Sequence, residues 1–175
     1  MPRKLILFIA MSLDGYIARE DGNIDFLSSV QTPGEDYGYK AFIDTIDTVI
    51  MGRKTYDKVL GFGIEFPHQD KRCIVLSRTR LGRDRHVEFY NGDVETLSRQ
   101  LQESAGLDIF IDGGAEVVHQ FAAMHLIDRY IISLLPLLLG RGIPLFKSDR
   151  EPERLKLIEN TAYPSGLVQL TYDRQ

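Results

Sequence analysis

The chain has one cysteine, Cys73, and four histidines in 175 residues. A single cysteine excludes an intramolecular disulfide framework and a cysteine-built zinc site, and fits a reducing cytoplasm. His68, His86, His119 and His125 show no metal-ligand spacing, since His119 and His125 are neither three nor four apart. Excess positive charge is also missing: 21 basic against 25 acidic side chains give a net charge of −4. That is not the footprint of a nucleic-acid binder, so any anion site must be a local concentration of cations. Long apolar runs are lacking too. The longest, Tyr130–Leu139, is too short to span a bilayer and holds Ser133 and Pro136. The N-terminus has no charged region followed by a long apolar stretch and a cleavage site. A GxxxxGK[ST] loop and a serine nucleophile elbow are likewise absent, which disfavours an NTPase and a serine hydrolase.

What remains is ordinary globular composition, 43% hydrophobic and 26% charged, in a length that suits one domain over residues 1–175. Several short apolar runs have the continuous character of strands buried on both faces: Lys4–Met11, Ile46–Met51, Arg72–Ser77, Leu107–Asp112 and Arg129–Leu135. His86–Tyr90 is a further short strand. Leu155–Ala162 and Leu167–Tyr172 alternate around Pro164-Ser165-Gly166, the pattern of an edge hairpin. Helical spacing follows Asp93, a cap residue, and follows Gly114. Thr32-Pro33-Gly34-Glu35 predicts a helix start, with the helix running to about Thr45. The expectation is an α/β fold with about eight strands, mostly parallel and closed by an antiparallel hairpin.

Three strand ends carry the chemistry. Ile46–Met51 stops at Gly52, and Arg53, Lys54 and Thr55 open a helix. Cations in a first helical turn work against the macrodipole, and an anionic ligand such as a phosphate accounts for them. Ser77-Arg78-Thr79-Arg80 sits at another strand end, as a second phosphate site or as a solvated basic loop. Gly113-Gly114 lies between a strand and a helix, where paired glycines admit a pyrophosphate close to backbone amides. Together these suit a ligand with several phosphates, such as a dinucleotide. The loop over residues 12–25 begins where the first buried strand ends, which is where open α/β sheets bind ligands. Asp36 reads either as a dipole-compensating carboxylate paired with Lys40 or as a functional acid. Cys73, mid-strand, reads as core.

The segments SLDGYIA (Ser12–Ala18), MGRKTYD (Met51–Asp57), IVLSRT (Ile74–Thr79), IDGGAEVVHQF (Ile111–Phe121) and PLLLGRGIPLF (Pro136–Phe146) keep one order over nearly the whole chain. In this the chain resembles the dihydrofolate reductase-like superfamily. It resembles most closely the branch holding the reductase domain of bacterial riboflavin biosynthesis, the RibD C-terminal domain. The resemblance implies a three-layer sandwich and an NADPH-dependent oxidoreductase, acting on a pterin- or ribosylaminopyrimidine-like substrate. The alternative is a non-catalytic NADP-binding paralogue. By motif match, Gly52, Arg53, Lys54 and Thr55 contact the phosphates, and Leu76, Ser77 and Arg78 lie near the 2′-phosphate. Gly113, Gly114, Ala115, Glu116 and Val117 cradle the pyrophosphate, and Ala10 and Ile17 flank the nicotinamide. Counting back from MGRKTYD lands on Asp36 as the substrate-side acid, partly buried beside Tyr39, with Asp14 of the SLDG turn as the other acidic candidate. Lys40 departs from the aromatic or apolar residue that dihydrofolate reductases carry a turn later. A homodimer is implied by the same analogy, with the terminal hairpin as one candidate surface; no nucleic-acid or membrane partner is expected.

Overall fold

The apolar runs become the inner strands of one twisted sheet. The computed structural model describes residues 2–148 and 151–175. Its strands are β1 (Leu5–Ser12), β2 (Tyr16–Ala18), β3 (Ile46–Gly52), β4 (Arg72–Leu76), β5 (Gly82–Arg83), β6 (Glu88–Tyr90), β7 (Asp108–Gly113), β8 (Arg129–Leu135), β9 (Ile143–Pro144), β10 (Leu155–Ala162) and β11 (Val168–Arg174). The helices are α1 (Tyr39–Ile43), α2 (Arg53–Leu60), α3 (Val94–Glu103) and α4 (Ala115–Ala123). The main sheet has nine strands in the order β10-β11-β8-β1-β7-β3-β4-β6-β5. The strands from β8 to β6 in that order pair in parallel, while β11, β10 and β5 pair antiparallel. The strand beyond the expected eight is β5, whose two residues are too few to show a period.

Alternation along the strands sends side chains to two cores. Leu5, Leu7, Ile109 and Ile111 face α3 and α4, where they meet Leu101, Val118 and Phe121. Ile6, Val49, Met51 and Phe110 face the other way, onto Phe42 of α1 and Tyr56 of α2. Helices thus cover both faces, giving the three-layer, dihydrofolate reductase-like arrangement. Each fully buried leucine or isoleucine contributes roughly 1.5–3 kcal/mol of transfer free energy. Asp93 caps α3 by accepting from the Thr96 amide at 2.7 Å, as the sequence predicts. Among the described residues no helix is long and apolar enough to cross a membrane.

The helix expected from Thr32 to Thr45 is much shorter. Residues 32–38 form turns instead, and only Tyr39–Ile43 is α-helical. Gly34 and Gly38 adopt φ of +80° and +78°, and Tyr37 also lies in the left-handed region at φ 54°. Side-chain bonding to the backbone competes with the helix here. The Asp36 carboxylate accepts from the amides of Gly38 and Lys40, both at 3.0 Å. The expected Asp36–Lys40 pair does not form; the Lys40 ammonium lies 3.3 Å from Asp44.

The connection after β8 folds back onto the loop after β1. β9 pairs antiparallel with β2. The Leu13 amide donates to the Leu137 carbonyl, and the Leu145 amide to the Gly15 carbonyl, each at 2.9 Å. Loop 12–25 is therefore held at the carboxyl edge of β1.

Candidate functional site

Two helix starts meet at the carboxyl ends of β3 and β7. Gly52 is extended, at φ −82° and ψ 153°, and α2 begins directly after it. A Cβ on Gly52 would approach Val117 Cγ2 to 3.1 Å, so glycine lets the β3–α2 corner sit close against α4. Gly113 has φ +107°, a left-handed value that favours glycine, and the Gly113–Gly114 peptide is cis. The Gly114 amide donates to Thr55 Oγ1 at 2.9 Å, tying the two helix starts together. A Cβ on Gly114 would come within 3.1 Å of that same hydroxyl oxygen, so a larger residue here would press on Thr55 and its bond to the amide.

The third strand end completes a groove of about 510 Å³ lined by segments 52–55, 76–79 and 114–117, with Gln120 and Ile143. Buried Ser77 shapes its turn: Oγ accepts from the amides of Thr79 at 3.3 Å and Arg80 at 2.9 Å. Arg53 is half-buried, and its guanidinium donates to Asp57 at 2.9 Å. Arg80 donates to the other oxygen of Asp57 at 2.9 Å. Lys54 and Glu116 are exposed and 3.7 Å apart, a separation at which solvent leaves little net attraction. Arg78 is exposed on the lining. The structure brings together Gly52, Arg53, Lys54, Thr55, Leu76, Ser77, Arg78, Gly114, Ala115, Glu116 and Val117 around this one groove, with Gly113 at its corner. The donor set, helix-start amides with guanidinium and ammonium groups, fits a polyphosphate ligand.

Ala10 lies elsewhere, in a second cavity of about 550 Å³ on the carboxyl halves of β1 and β8. Phe8, Ala10, Ser133 and Leu135 come from these two strands, and Leu27 and Val30 from the short 3₁₀ helix Asp25–Val30. Asp25, Glu35 and Asp36 are its exposed acidic members. The cavity is braced from outside. Gln169 donates to Ser133 Oγ at 3.1 Å and to the Tyr37 carbonyl at 3.0 Å. The Tyr37 hydroxyl bonds Val30 and Ser165. Ile17 of β2 packs half-buried against the main core.

The two acidic candidates stand differently from expectation. Asp36 is exposed rather than partly buried, on the cavity rim, with its carboxylate turned to the Gly38 and Lys40 amides. Asp14 is a clamp. Its carboxylate accepts from Ser12 Oγ at 2.5 Å, the Leu139 amide at 3.0 Å and the Gly140 amide at 2.7 Å. The Ser12 hydroxyl, then these amides, hold its pKa down to about 2. A group so strongly ionised is a poor proton donor near neutrality, so the acid role considered for Asp14 gives way to pinning the Pro136–Phe146 connection onto the SLDG turn.

The carboxyl with a raised pKa in this region is Asp112, which the sequence motifs mark only as the last residue of a strand. It is the penultimate residue of β7, the strand between β1 and β3, directly before Gly113. Burial pushes its pKa up to about 6. Its side chain nonetheless keeps 26% of its surface open, and His68 Nε2 lies 3.9 Å away. His68 is itself buried, and burial lowers its pKa, so it is neutral and does not offset the carboxylate. Tyr39 feels the Asp112 charge and packs edge-on against Phe8 with ring centroids 5.6 Å apart. Phe8 lines the second cavity; Asp112 itself lines neither the cavity nor the groove, but its strand β7 lies in the sheet between β1 of the cavity and β3 of the groove. The signal available in the sequence was a carboxylate ending an apolar run immediately before paired glycines. Among the described residues no group of three or more His, Cys, Asp or Glu is arranged to hold a metal ion.

Known proteins are similar to this chain over its whole length. The uncharacterised protein YwjB of Bacillus subtilis (strain 168) is 43% identical over 175 residues, covering 99% of both chains. A solved structure from Shewanella sp. PV-4, assigned provisionally to riboflavin biosynthesis, superposes with a TM-score of 0.88 at 34% identity, over 100% of this chain and 99% of that one. The diaminohydroxyphosphoribosylaminopyrimidine deaminase/5-amino-6-(5-phosphoribosylamino)uracil reductase of Thermotoga maritima matches with a TM-score of 0.72 at 18% identity. That likeness covers 99% of this chain and 57% of the larger Thermotoga protein, and it shows the fold alone. The family model for the RibD C-terminal domain matches residues 3–169, and the chain belongs to that family.

Proposed function

We propose that the protein is an NADPH-dependent reductase of a small heterocyclic substrate, pterin-like or ribosylaminopyrimidine-like. The observation that carries this reading is the pairing of two cavities at the carboxyl ends of the sheet strands, with a carboxyl of raised pKa on β7, the strand between β1 and β3. One is a phosphate-suited groove at the ends of β3, β4 and β7; the other is an apolar cavity on β1 and β8. Bound NADPH would supply the hydride. The amides of Gly114 and Ala115 and the Thr55 hydroxyl would hold its pyrophosphate. Arg53 and Lys54 would neutralise phosphate charge, and Arg78 with Ser77 would read the 2′-phosphate, a task for which a planar guanidinium is suited. Ala10, small and half-buried in the second cavity, and Ile17, packed against the main core, would border the ring.

On the substrate side, Phe8, Leu27 and Leu135 would pack the flat faces of a heterocycle, and Asp36 would accept from a ring N–H at the rim. Asp112 would deliver the proton that follows hydride addition. A pKa near 6 leaves a useful protonated fraction at neutral pH and a reasonable driving force for transfer. Asp14 would act by holding the loop that carries Ile17. Little else is asked of the protein than orientation and a proton. The active species would be a homodimer using β10, an edge strand whose Leu157 and Ile158 are exposed.

The test is NADPH oxidation over a panel of dihydropterins, dihydrofolate and ribosylaminopyrimidines. Turnover on at least one is expected. Saturable NADPH binding without turnover on any would favour a non-catalytic NADP-binding protein of the same fold, and absence of binding would end both readings.

A further inference from the structure

The charge around the second cavity selects its ligand. Among the described residues, no lysine or arginine lines it, whereas Asp25, Glu35 and Asp36 do. Asp25 is neutralised by Arg19, whose Nε lies 2.7 Å away. Among the described residues Glu35 and Asp36 have no such partner: their carboxylates accept only backbone amides, Tyr37 at 2.8 Å for Glu35 and Gly38 and Lys40 for Asp36. The nearby ammonium groups are engaged elsewhere. Lys58 donates to the Gly22 carbonyl at 2.9 Å, and Lys40 turns to Asp44. An ionised carboxylate has about four lone-pair sites, so Glu35 and Asp36 keep acceptors for a ligand after these bonds. The floor residues Phe8, Leu135 and Leu167 are apolar, and the donors on the lining, Asn23, Ser28, Gln31 and Ser133, are neutral groups that leave a phosphate's charge uncompensated.

The cofactor groove shows the contrast. There Arg53, Lys54 and Arg78 line the wall beside helix-start amides. A phosphate on the substrate would find its natural partners in the groove already committed to the cofactor, and carboxylates in the cavity meant for itself.

Resting on the reductase reading above, we propose that the substrate is not phosphorylated: the cavity takes an uncharged or cationic aminopyrimidine or pterin that presents N–H donors to Glu35 and Asp36. In this the chain differs from the Thermotoga reductase, whose named substrate carries a phosphoribosyl group. Discrimination comes from two like charges and the lack of a compensating cation, which is specificity by repulsion as well as by attraction.

The experiment compares two probes, 5-amino-6-(ribosylamino)uracil and its 5′-phosphate, on the full chain in the presence of NADPH. Nicotinamide fluorescence follows cofactor saturation in the same samples, and equilibrium dialysis reads probe binding. The nucleoside is expected to bind about tenfold or more tightly than the phosphate at low ionic strength. The gap is expected to shrink as the Debye length falls from ~30 Å at about 0.01 M to ~3 Å at about 1 M salt. The double variant Glu35→Gln, Asp36→Asn keeps the backbone-accepting oxygens and should close most of the gap, with an unchanged melting profile as the control for folding. Equal binding, a preference for the phosphate, or a gap insensitive to both salt and the double variant overturns the proposal. Failure of both probes with NADPH bound also overturns it, while leaving the cofactor assignment standing. Failure of NADPH itself to bind overturns the reductase reading and this inference with it.

Discussion

Replacing Asp112 with Asn should make the protein more stable and less active at once. The folded-state pKa of Asp112 is about 6 against an ordinary 3.8, because burial penalises the charged form. A rise of that size corresponds to roughly 3 kcal/mol of penalty for ionising the carboxyl in the fold. Its side chain is 26% exposed, so solvent access trims the effective figure to about 2 kcal/mol. The sign follows from linkage. A group with a raised folded pKa adds stability that is fully present below the unfolded value, near pH 4, and lost as pH rises through 6. Asn is isosteric and never ionises, so it removes the penalty above pH 6 and changes little near pH 4. For a chain of this length 1 kcal/mol moves Tm by roughly 2–4 °C. Asp112→Asn should therefore melt about 4–8 °C above the parent at pH 8, with the difference closing by about pH 4. Scanning calorimetry across that range is the assay. A variant no more stable than the parent at pH 8, or a gap that persists unchanged at pH 4, would refute the burial argument. Turnover in the same variant should fall by roughly 10²–10⁴, and the decline in rate above pH 6 should vanish.

Other perturbations probe separate parts of the account. Arg78→Ala should weaken NADPH by about ten- to a hundredfold, the worth of a charge-assisted contact, and leave NADH nearly unchanged; competitive titration of both nucleotides reads the ratio. Asp14→Ala should expose the Leu139 and Gly140 amides, seen as lost hydrogen-exchange protection confined to the clamp. In the parent, the folded pKa of Asp14 is depressed to about 2, so the clamp holds above pH 4 and releases as pH falls through 2. Ile158→Lys places a charge on the exposed apolar stretch of β10 and should convert a dimer to a monomer by light scattering, with an unchanged circular dichroism spectrum.

The legible parts of this chain were those governed by local pattern. Continuous β-branched and apolar runs marked β1, β3, β4, β7 and β8, and glycine with a change of period marked the starts of α2 and α4. Those same corners carry the groove, so most of its lining could be read residue by residue. The misread stretch, Thr32–Thr45, had a proper cap signal and still failed. Gly34, Tyr37 and Gly38 take left-handed conformations, and Asp36 bonds the backbone in a way that helix signals do not encode. Asp112, the proton donor proposed above, was passed over for a different reason. Its raised pKa comes from burial between β1 and β3 and against the region of His68 and Tyr39, contacts made by distant segments. Asp14 sits in the predicted loop, but its partners Leu139 and Gly140 lie at the far end of the chain, so the sequence shows the carboxylate and hides the clamp.

Amide-resolved NMR of the protein titrated with NADPH tests the central claim most directly. The account predicts saturable shifts concentrated on Thr55, Ser77, Arg78, Gly114 and Ala115, the residues that line the groove between α2 and α4. Shifts centred instead on the charged hollow beside Gln102, His125 and Arg174, or no shifts at all, would contradict it.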